Sequence, residues 1–162
     1  MKKYQWIIIL VNLIILLALF NSSVLKKEAT LSDGTLLLLE LAPVDPRSLI
    51  QGDYMRLRYQ ISEDISYDSI SRRGFCVVKP EANGIAKRVR LQDSPSPVYE
   101  NEFPIRYNAT RWNMNIGAES FFFQEGEAAK FENAKYGGLR VDGKGNSILV
   151  GLYDEHLEKL NK

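Results

Sequence analysis

The strongest constraint on this chain is an uncharged apolar run near its N-terminus, over residues 6–20. Asn12 is its one polar residue, and extension to Tyr4 and Leu25 gives a segment of 22 residues without a charge. About 20 apolar residues are enough for a helix to cross the hydrocarbon core of a bilayer. We therefore predict a transmembrane helix, with residues 1–25 as a membrane anchor.

Flanking lysines give a prediction for the orientation of this helix. Lys2 and Lys3 precede it, and the positive-inside tendency then holds the N-terminus in the cytoplasm and the rest of the chain in the periplasm or extracytoplasmic space. Lys26 and Lys27 on the far side oppose that orientation. A cleaved signal peptide is the alternative, but the run is long for one, and residues 19–23 contain no clean small-x-small site. We favour an uncleaved single-pass anchor in the cytoplasmic membrane.

Composition excludes several classes of function. The chain has 21 basic and 20 acidic residues, so without Lys2 and Lys3 the remainder carries 19 against 20 and is nearly neutral. A surface for nucleic acid is not expected on such a domain. Cys76 is the single cysteine, which excludes an intrachain disulfide, and His156 is the single histidine. Neither a zinc site nor a Ser-His-Asp triad is supported, and we expect no metal and no cofactor.

The most structured part of the sequence is the stretch 45–61. Asp45 can cap the amides that begin a helix, and Pro46 is tolerated at the first helical position. Gly52 is suited to a positive φ angle that ends the turn. From Tyr54 onward the residues alternate in polarity, which predicts a strand to residue 61.

The two faces of this predicted strand differ in character. One face carries Met55, Leu57, Tyr59 and Ile61. The other carries Tyr54, Arg56, Arg58 and Gln60. Two arginines on one face admit two interpretations: a solvated outer face of an antiparallel sheet, or, with Asp53 at the strand entrance, a polar groove for a partner or an anionic group. Asp53 also fits a purely structural role as a turn cap.

Gly52-Asp53-Tyr54 followed by Leu57 and Tyr59 completes the pattern GDYxxLxY. The chain therefore resembles the GDYXXLXY family of bacterial membrane-anchored proteins, whose activity is uncharacterised. The resemblance extends with less clarity over residues 43–59 and 121–152. It implies an anchor followed by one domain, and a polytopic membrane protein as partner. The residues assigned to the structural motif are Asp45, Pro46, Gly52, Leu57 and Tyr59, and those assigned to binding are Asp53, Tyr54, Arg56 and Arg58.

The rest of the chain predicts a mainly β, α+β domain of about seven or eight short strands with one helix near residues 125–136. We expect a linker over 26–35, the domain over 36–153 and a polar tail over 154–162. Asn83-Gly84 predicts a hairpin between residues 75–79 and 85–91, and residues 139–142 and 147–153 predict a final hairpin. Further expectations are a strand burying Trp112, Met114 and Ile116, a core or partner-facing run at 121–123, and Arg88 with Arg90 on one strand face.

These features of the sequence support three alternative functions. The first is a non-catalytic accessory or interaction protein, in contact with a membrane partner near Asp53, Arg56 and Arg58. The second is a Ser/Lys-dyad peptidase resembling signal peptidases, with Ser48 as the nucleophile and a desolvated Lys87 as its base. The third is an anion-binding module that uses Arg56 and Arg58 together with Arg88 and Arg90, and it requires the two strands to be neighbours.

Overall fold

A computed structural model describes residues 2–42, 54–66 and 70–160 of the chain. The predicted helical turn of the motif falls outside the described residues. With it fall Asp45, Pro46, Ser48, Gly52 and Asp53.

The first element is the helix α1, Lys2–Asp33. It is long and apolar enough to cross a membrane, and none of its most apolar 18-residue window is buried by the rest of the chain. The helix also continues through residues 26–33, where the sequence predicted a polar linker. The reason is a contact with the domain: Thr30 is buried, and its hydroxyl lies 3.1 Å from the Lys26 carbonyl oxygen and 3.3 Å from Asp142 Oδ2.

Nine strands in three sheets and one short helix follow α1 in the described part of the chain, which confirms the predicted mainly β fold. The strands are β1 Thr35–Glu40, β2 Tyr54–Arg56, β3 Arg73–Pro80, β4 Ala86–Gln92, β5 Phe103–Ala109, β6 Met114–Asn115, β7 Ser120–Phe122, β8 Tyr136–Val141 and β9 Ser147–Tyr153. The short helix is α2, Ala128–Phe131, inside the predicted range 125–136.

All strand pairs within the three sheets are antiparallel. The strand orders are β1-β8-β9, β2-β7 and β4-β3-β5-β6. Both predicted hairpins, β3–β4 and β8–β9, are present, because short turns bring the flanking apolar runs into direct pairing. The sheets share one hydrophobic core that includes Leu37, Leu57, Val78, Ile105 and Leu139.

The motif strand is shorter than the sequence predicted. Regular pairing ends at Arg56, and Gln60–Ser62 forms a 3-10 turn. The predicted alternation nevertheless holds from Tyr54 to Ile61, since Met55, Leu57, Tyr59 and Ile61 are all buried, whereas the residues between them are exposed and Tyr54 is half-buried. The side chains therefore keep the alternation of a strand beyond Arg56, where the regular strand hydrogen bonds end.

Two further expectations are wrong. Trp112 is 86% exposed, whereas Met114 and Ile116 are buried, because a turn closed by the Thr110 N–H donating to the Asn113 carbonyl reverses the chain there. Arg88 and Arg90 do not share a face either. The β3–β4 register shifts between Val77 and Val78, so that Arg88 lies opposite Val78 and Arg90 opposite Val77. The extra residue rotates one arginine to each side of the sheet.

Candidate functional site

The GDYxxLxY motif contains strand β2, which pairs with β7 in a two-stranded ribbon. Its register pairs Tyr54 with Phe122, Met55 with Phe121, and Arg56 with Ser120. Residues directly opposite one another in an antiparallel pair lie on the same face. The ribbon therefore has an inner face with Met55 and Phe121, and an outer face with Tyr54, Arg56, Ser120 and Phe122, which we call the ribbon face.

The inner side of the motif belongs to the core. Leu57 and Tyr59 are 3% and 1% exposed. The Tyr59 hydroxyl donates to the Ala118 carbonyl at 2.7 Å, and Leu57 N–H donates to the Glu119 carbonyl at 2.8 Å. Burial, followed by the charge of Glu119, raises the pKa of Tyr59 above its ordinary range. Tyr59 is therefore a neutral hydrogen-bond donor.

A glycine on β8 makes room for the Tyr59 ring. A Cβ atom at Gly137 would lie 2.8 Å from Tyr59 Cε1, closer than a carbon–carbon contact allows. The close approach of the β8 backbone and the Tyr59 ring explains why this strand position has no side chain. Tyr59 therefore packs against the sheet β1-β8-β9 and also contacts the loop that leads into β7.

The ribbon face is unusual because an exposed phenylalanine lies beside a half-buried tyrosine on it. Phe122 is 74% exposed, and its ring centroid lies 5.8 Å from that of Tyr54. Arg56 is exposed beside this pair and has no ion pair or hydrogen bond to any described residue. The neighbouring rings of Phe121 and Phe123 contact Phe131 instead, at 5.0 and 5.5 Å between centroids. The aromatic run is therefore divided between the core and the surface.

A shallow, open cavity of about 350 Å³ continues the ribbon face toward α2. Phe122, Gln124 and Glu127 are among the residues that line it. The sequence predicted that the run 121–123 would be core or partner-facing, but its pairing with Tyr54 was missed. No pattern in the sequence indicates which strand β7 joins.

Arg58, the second arginine of the motif, is separate from the ribbon face. Its Nη2 lies 2.7 Å from Glu63 Oε1, and the two side chains are 60% and 30% exposed. An ion pair at this exposure contributes little to stability. Arg88 approaches the same turn from β4, with Nη1 donating to the carbonyls of Ile61 and Glu63 at 2.6 and 2.8 Å.

These contacts bear on the anion-binding hypothesis. The turn 60–63 brings Arg58 and Arg88 together, but their donors are occupied by Glu63 and by backbone carbonyls. Arg90 lies on the other side of the sheet, where it pairs with Glu102 at 2.8 Å and contacts the Tyr99 ring. A four-arginine site does not form.

Lys87 lacks the properties that a dyad base requires. Its side chain is 65% exposed, and its Nζ lies 2.8 Å from Glu81 Oε1. The hydrogen bond that Lys87 donates to Glu81, and then the charge of Glu81, raise the pKa of Lys87 above the ordinary value. A lysine that accepts a proton from serine needs the opposite, burial and a lowered pKa. Ser48 lies outside the described residues, and Lys87 by itself argues against the dyad.

The other reactive groups do not form a site. Cys76 is fully buried, and burial raises the pKa of its thiol to about 12 against a smaller lowering by Arg88. Within residues 2–42, 54–66 and 70–160, no group of three or more His, Cys, Asp or Glu side chains is arranged to hold a metal ion. The ribbon face is thus the candidate site.

Comparison with known proteins agrees with the motif. The family model described as GDYXXLXY protein matches residues 16–152. No curated protein and no solved structure matches the chain. The matched range begins within α1 and ends in β9, so it covers the second half of the apolar helix and almost all of the β-rich domain.

Proposed function

The chain belongs to the GDYXXLXY protein family, and from this premise we propose that it is a membrane-anchored accessory protein without catalytic activity. It binds a polytopic membrane protein through the ribbon face and through α1. Its domain stands on the extracytoplasmic side of the cytoplasmic membrane. The observation that carries this proposal is the exposed ring of Phe122 next to the half-buried Tyr54, beside an exposed Arg56 that has no ion pair with a described residue.

The composition of the ribbon face supports contact with a protein. Aromatic residues and arginine are enriched in protein interfaces, whereas lysine and glutamate are depleted there. An exposed phenylalanine on a two-stranded ribbon gains nothing from water, and burial of its side chain against a partner is worth about 1.5–3 kcal/mol. A neighbouring arginine can then orient the partner through a charge-assisted hydrogen bond.

A second argument comes from α1. Asn12 lies in the middle of the apolar segment, and its side chain has no hydrogen-bond partner among the described residues. Asn21, by contrast, donates to the Leu17 carbonyl of its own helix at 2.9 Å. An amide in hydrocarbon is costly without a partner, and interhelical hydrogen bonds of asparagine stabilise helix association by about 1 kcal/mol. Asn12 therefore favours a neighbouring transmembrane helix.

Site-specific photocrosslinking in intact membranes tests the contact. A photoreactive amino acid replaces Phe122, and the control places it at Trp112, which is 86% exposed in the turn after β5 and is not part of the ribbon face. We expect a crosslink from position 122, but not from position 112, to a protein that mass spectrometry identifies as having several transmembrane helices. Arg56→Ala should reduce the yield from position 122 several-fold, and Asn12→Leu should reduce recovery of the complex in mild detergent.

Other outcomes would count against the proposal. Equal yields from positions 122 and 112 would indicate random collisions. A crosslink only to a second copy of this chain would replace the accessory role with self-association. Recovery of a soluble protein alone would remove the membrane partner from the proposal.

A further inference from the structure

A cavity lies where α1 meets the β-rich domain. Its volume is about 380 Å³, and four parts of the chain form its walls: the end of α1, strand β5, the loop between β6 and β7, and the turn between β8 and β9 with the start of β9. Ser23, Lys26, Lys27 and Thr30 line it from the helix. Arg106 and Asn108 line it from β5. The sequence did not predict this cavity, because its walls are far apart along the chain.

The charge of the cavity is positive. Lys26, Lys27 and Arg106 all line it, and none of its lining residues is acidic. None of these three side chains forms an ion pair with a described residue. The Arg106 guanidinium lies over the Phe75 ring, 5.6 Å from its centroid, which leaves its N–H donors available at the edge. Cations from two elements that surround one cavity and have no described ion-pair partner favour an anionic ligand.

The adjacent carboxylate of Asp142 forms no ion pair with these three cations in the described part of the chain. It accepts hydrogen bonds from the Lys144 and Asn146 N–H groups at 2.9 and 2.8 Å, and from Asn146 Nδ2 at 2.7 Å. Burial by itself would raise the pKa of Asp142, but the bonds from Asn146, Lys144 and Thr30 together lower it. The carboxylate therefore serves to shape the turn.

The position of the cavity along α1 indicates the source of the anion. Leu25 ends the apolar segment, and the cavity is lined from Ser23 to Thr30, a distance of about 10 Å along the helix axis. The headgroup region on one side of a bilayer is about 5–8 Å thick. If α1 spans the membrane, the cavity lies at the depth of the lipid phosphates on the domain side.

A hydrogen bond and a close ring contact join the walls of the cavity. Arg106 N–H donates to the Gly145 carbonyl at 2.9 Å, which joins β5 to the β8–β9 turn. Gly145 has a φ of +84°, and a Cβ there would lie 2.7 Å from Phe75 Cε1. Ile116 and Ile148 add apolar surface to the lining. A phosphate beside the cations and a glycerol backbone against the isoleucines would both be accommodated.

We propose that this cavity binds the phosphate-bearing headgroup of one membrane lipid, with Lys26, Lys27 and Arg106 as its ligands. The lipid fixes the domain at a constant height and rotation above the bilayer. The inference shares the membrane anchor with the proposed function, but it uses neither the partner nor the ribbon face. Lipid binding can therefore fail while partner crosslinking succeeds, and the reverse.

The test is native mass spectrometry of the full chain in detergent during titration with phosphatidylglycerol. Two parallel titrations use diacylglycerol, which lacks the phosphate, and soluble glycerol phosphate, which lacks the acyl chains. The variants are Arg106→Gln alone and the triple change Lys26→Gln/Lys27→Gln/Arg106→Gln. A charge-matched control changes Lys79, Lys135 and Lys159 to Gln, since all three are exposed and lie outside the cavity.

We expect one phosphatidylglycerol to be retained per wild-type chain. The triple variant should bind it at least about tenfold more weakly, as expected for the loss of charge-assisted bonds to phosphate, and the control should match the wild type. Arg106→Gln alone should also weaken binding, and this single change decides the matter if the triple variant unfolds.

Several results would overturn the proposal. Wild-type affinity of the Arg106→Gln variant would mean that the two lysines on α1 attract the lipid by themselves. The cavity would then not be a specific binding site. Equal binding of diacylglycerol would mean that the cavity does not recognise phosphate. Equally tight binding of glycerol phosphate, lost in the triple variant, would identify a soluble anion rather than a lipid as the ligand.

Discussion

At the scale of single residues, the two halves of the motif have different roles. Leu57 and Tyr59 are buried in the core, whereas Tyr54 is half-buried on the ribbon face beside Phe122. Tyr59 connects the ribbon to β8 through its ring and to the loop before β7 through its hydroxyl. We infer that Leu57 and Tyr59 stabilise the fold, whereas Tyr54 contributes its ring to the ribbon face beside Phe122.

Removal of the Tyr59 hydroxyl tests the first part. In Tyr59→Phe the buried Ala118 carbonyl loses its donor, and we expect the free energy of unfolding to fall by about 1–3 kcal/mol. Chemical denaturation of the full chain in detergent measures it. Tyr99→Phe is the matched control, because Tyr99 is 71% exposed, and its effect should stay within about 0.5 kcal/mol. Similar losses in both variants would contradict the structural role of Tyr59.

At the scale of elements, the bulge in the β3–β4 hairpin decides what the arginines do. Because Arg88 is rotated away from Arg90, it reaches the turn after the motif and holds the carbonyls of Ile61 and Glu63. Arg90 instead supports the loop before β5 through Glu102 and the Pro97 carbonyl. Each arginine stabilises one connection, and neither is left for a ligand.

Arg88→Ala should therefore loosen the turn 60–63 and leave the strands intact. We expect faster amide hydrogen exchange at residues 61–64 and a loss of about 1–3 kcal/mol in the free energy of unfolding. Lys87→Ala on the same strand is the control, since its ion pair with Glu81 is exposed and worth at most about 1 kcal/mol. Unchanged exchange in Arg88→Ala would show that the turn holds without the guanidinium.

At the scale of the whole molecule, α1 and the domain are joined without a flexible linker. The helix ends where Gly34 N–H donates to the Thr30 carbonyl at 3.1 Å, and the Arg140 guanidinium donates to the Gly34 carbonyl at 2.6 Å. The buried Thr30 adds its contact with Asp142. These contacts join α1 directly to the domain, and under the lipid proposal they also hold the cavity at the level of the headgroups.

Cysteine labelling tests the orientation in the proposed function. The native Cys76 is buried with a pKa of about 12, so we expect no reaction with a membrane-impermeant maleimide near neutral pH. A cysteine introduced by Ser71→Cys, at an exposed position, should be labelled in intact cells if the domain is extracytoplasmic. The parent chain with Cys76 alone gives the background. Labelling of Ser71→Cys only after permeabilisation would place the domain in the cytoplasm.

Local patterns in the sequence determined much of the fold. The apolar run predicts α1 because backbone groups in hydrocarbon must bond within the segment. Alternation at 54–61 predicts which motif residues are buried, since the period of a strand is two. Asn83-Gly84 and the glycines after Asp142 predict the two hairpins, because these residues adopt the required turn conformations. Each of these signals is confined to a few neighbouring residues.

Only the tertiary structure decided the rest, because the relevant contacts join distant parts of the chain. Thr30 extends α1 by contact with Asp142, which lies 112 residues away. The bulge beside Val77 separates Arg88 from Arg90 although a regular strand would align them. Pairing of β2 with β7 creates the ribbon face, and docking of α1 against β5 and the β8–β9 turn creates the cavity. Strand partners and helix docking depend on packing free energy summed over the whole core, which no local pattern records.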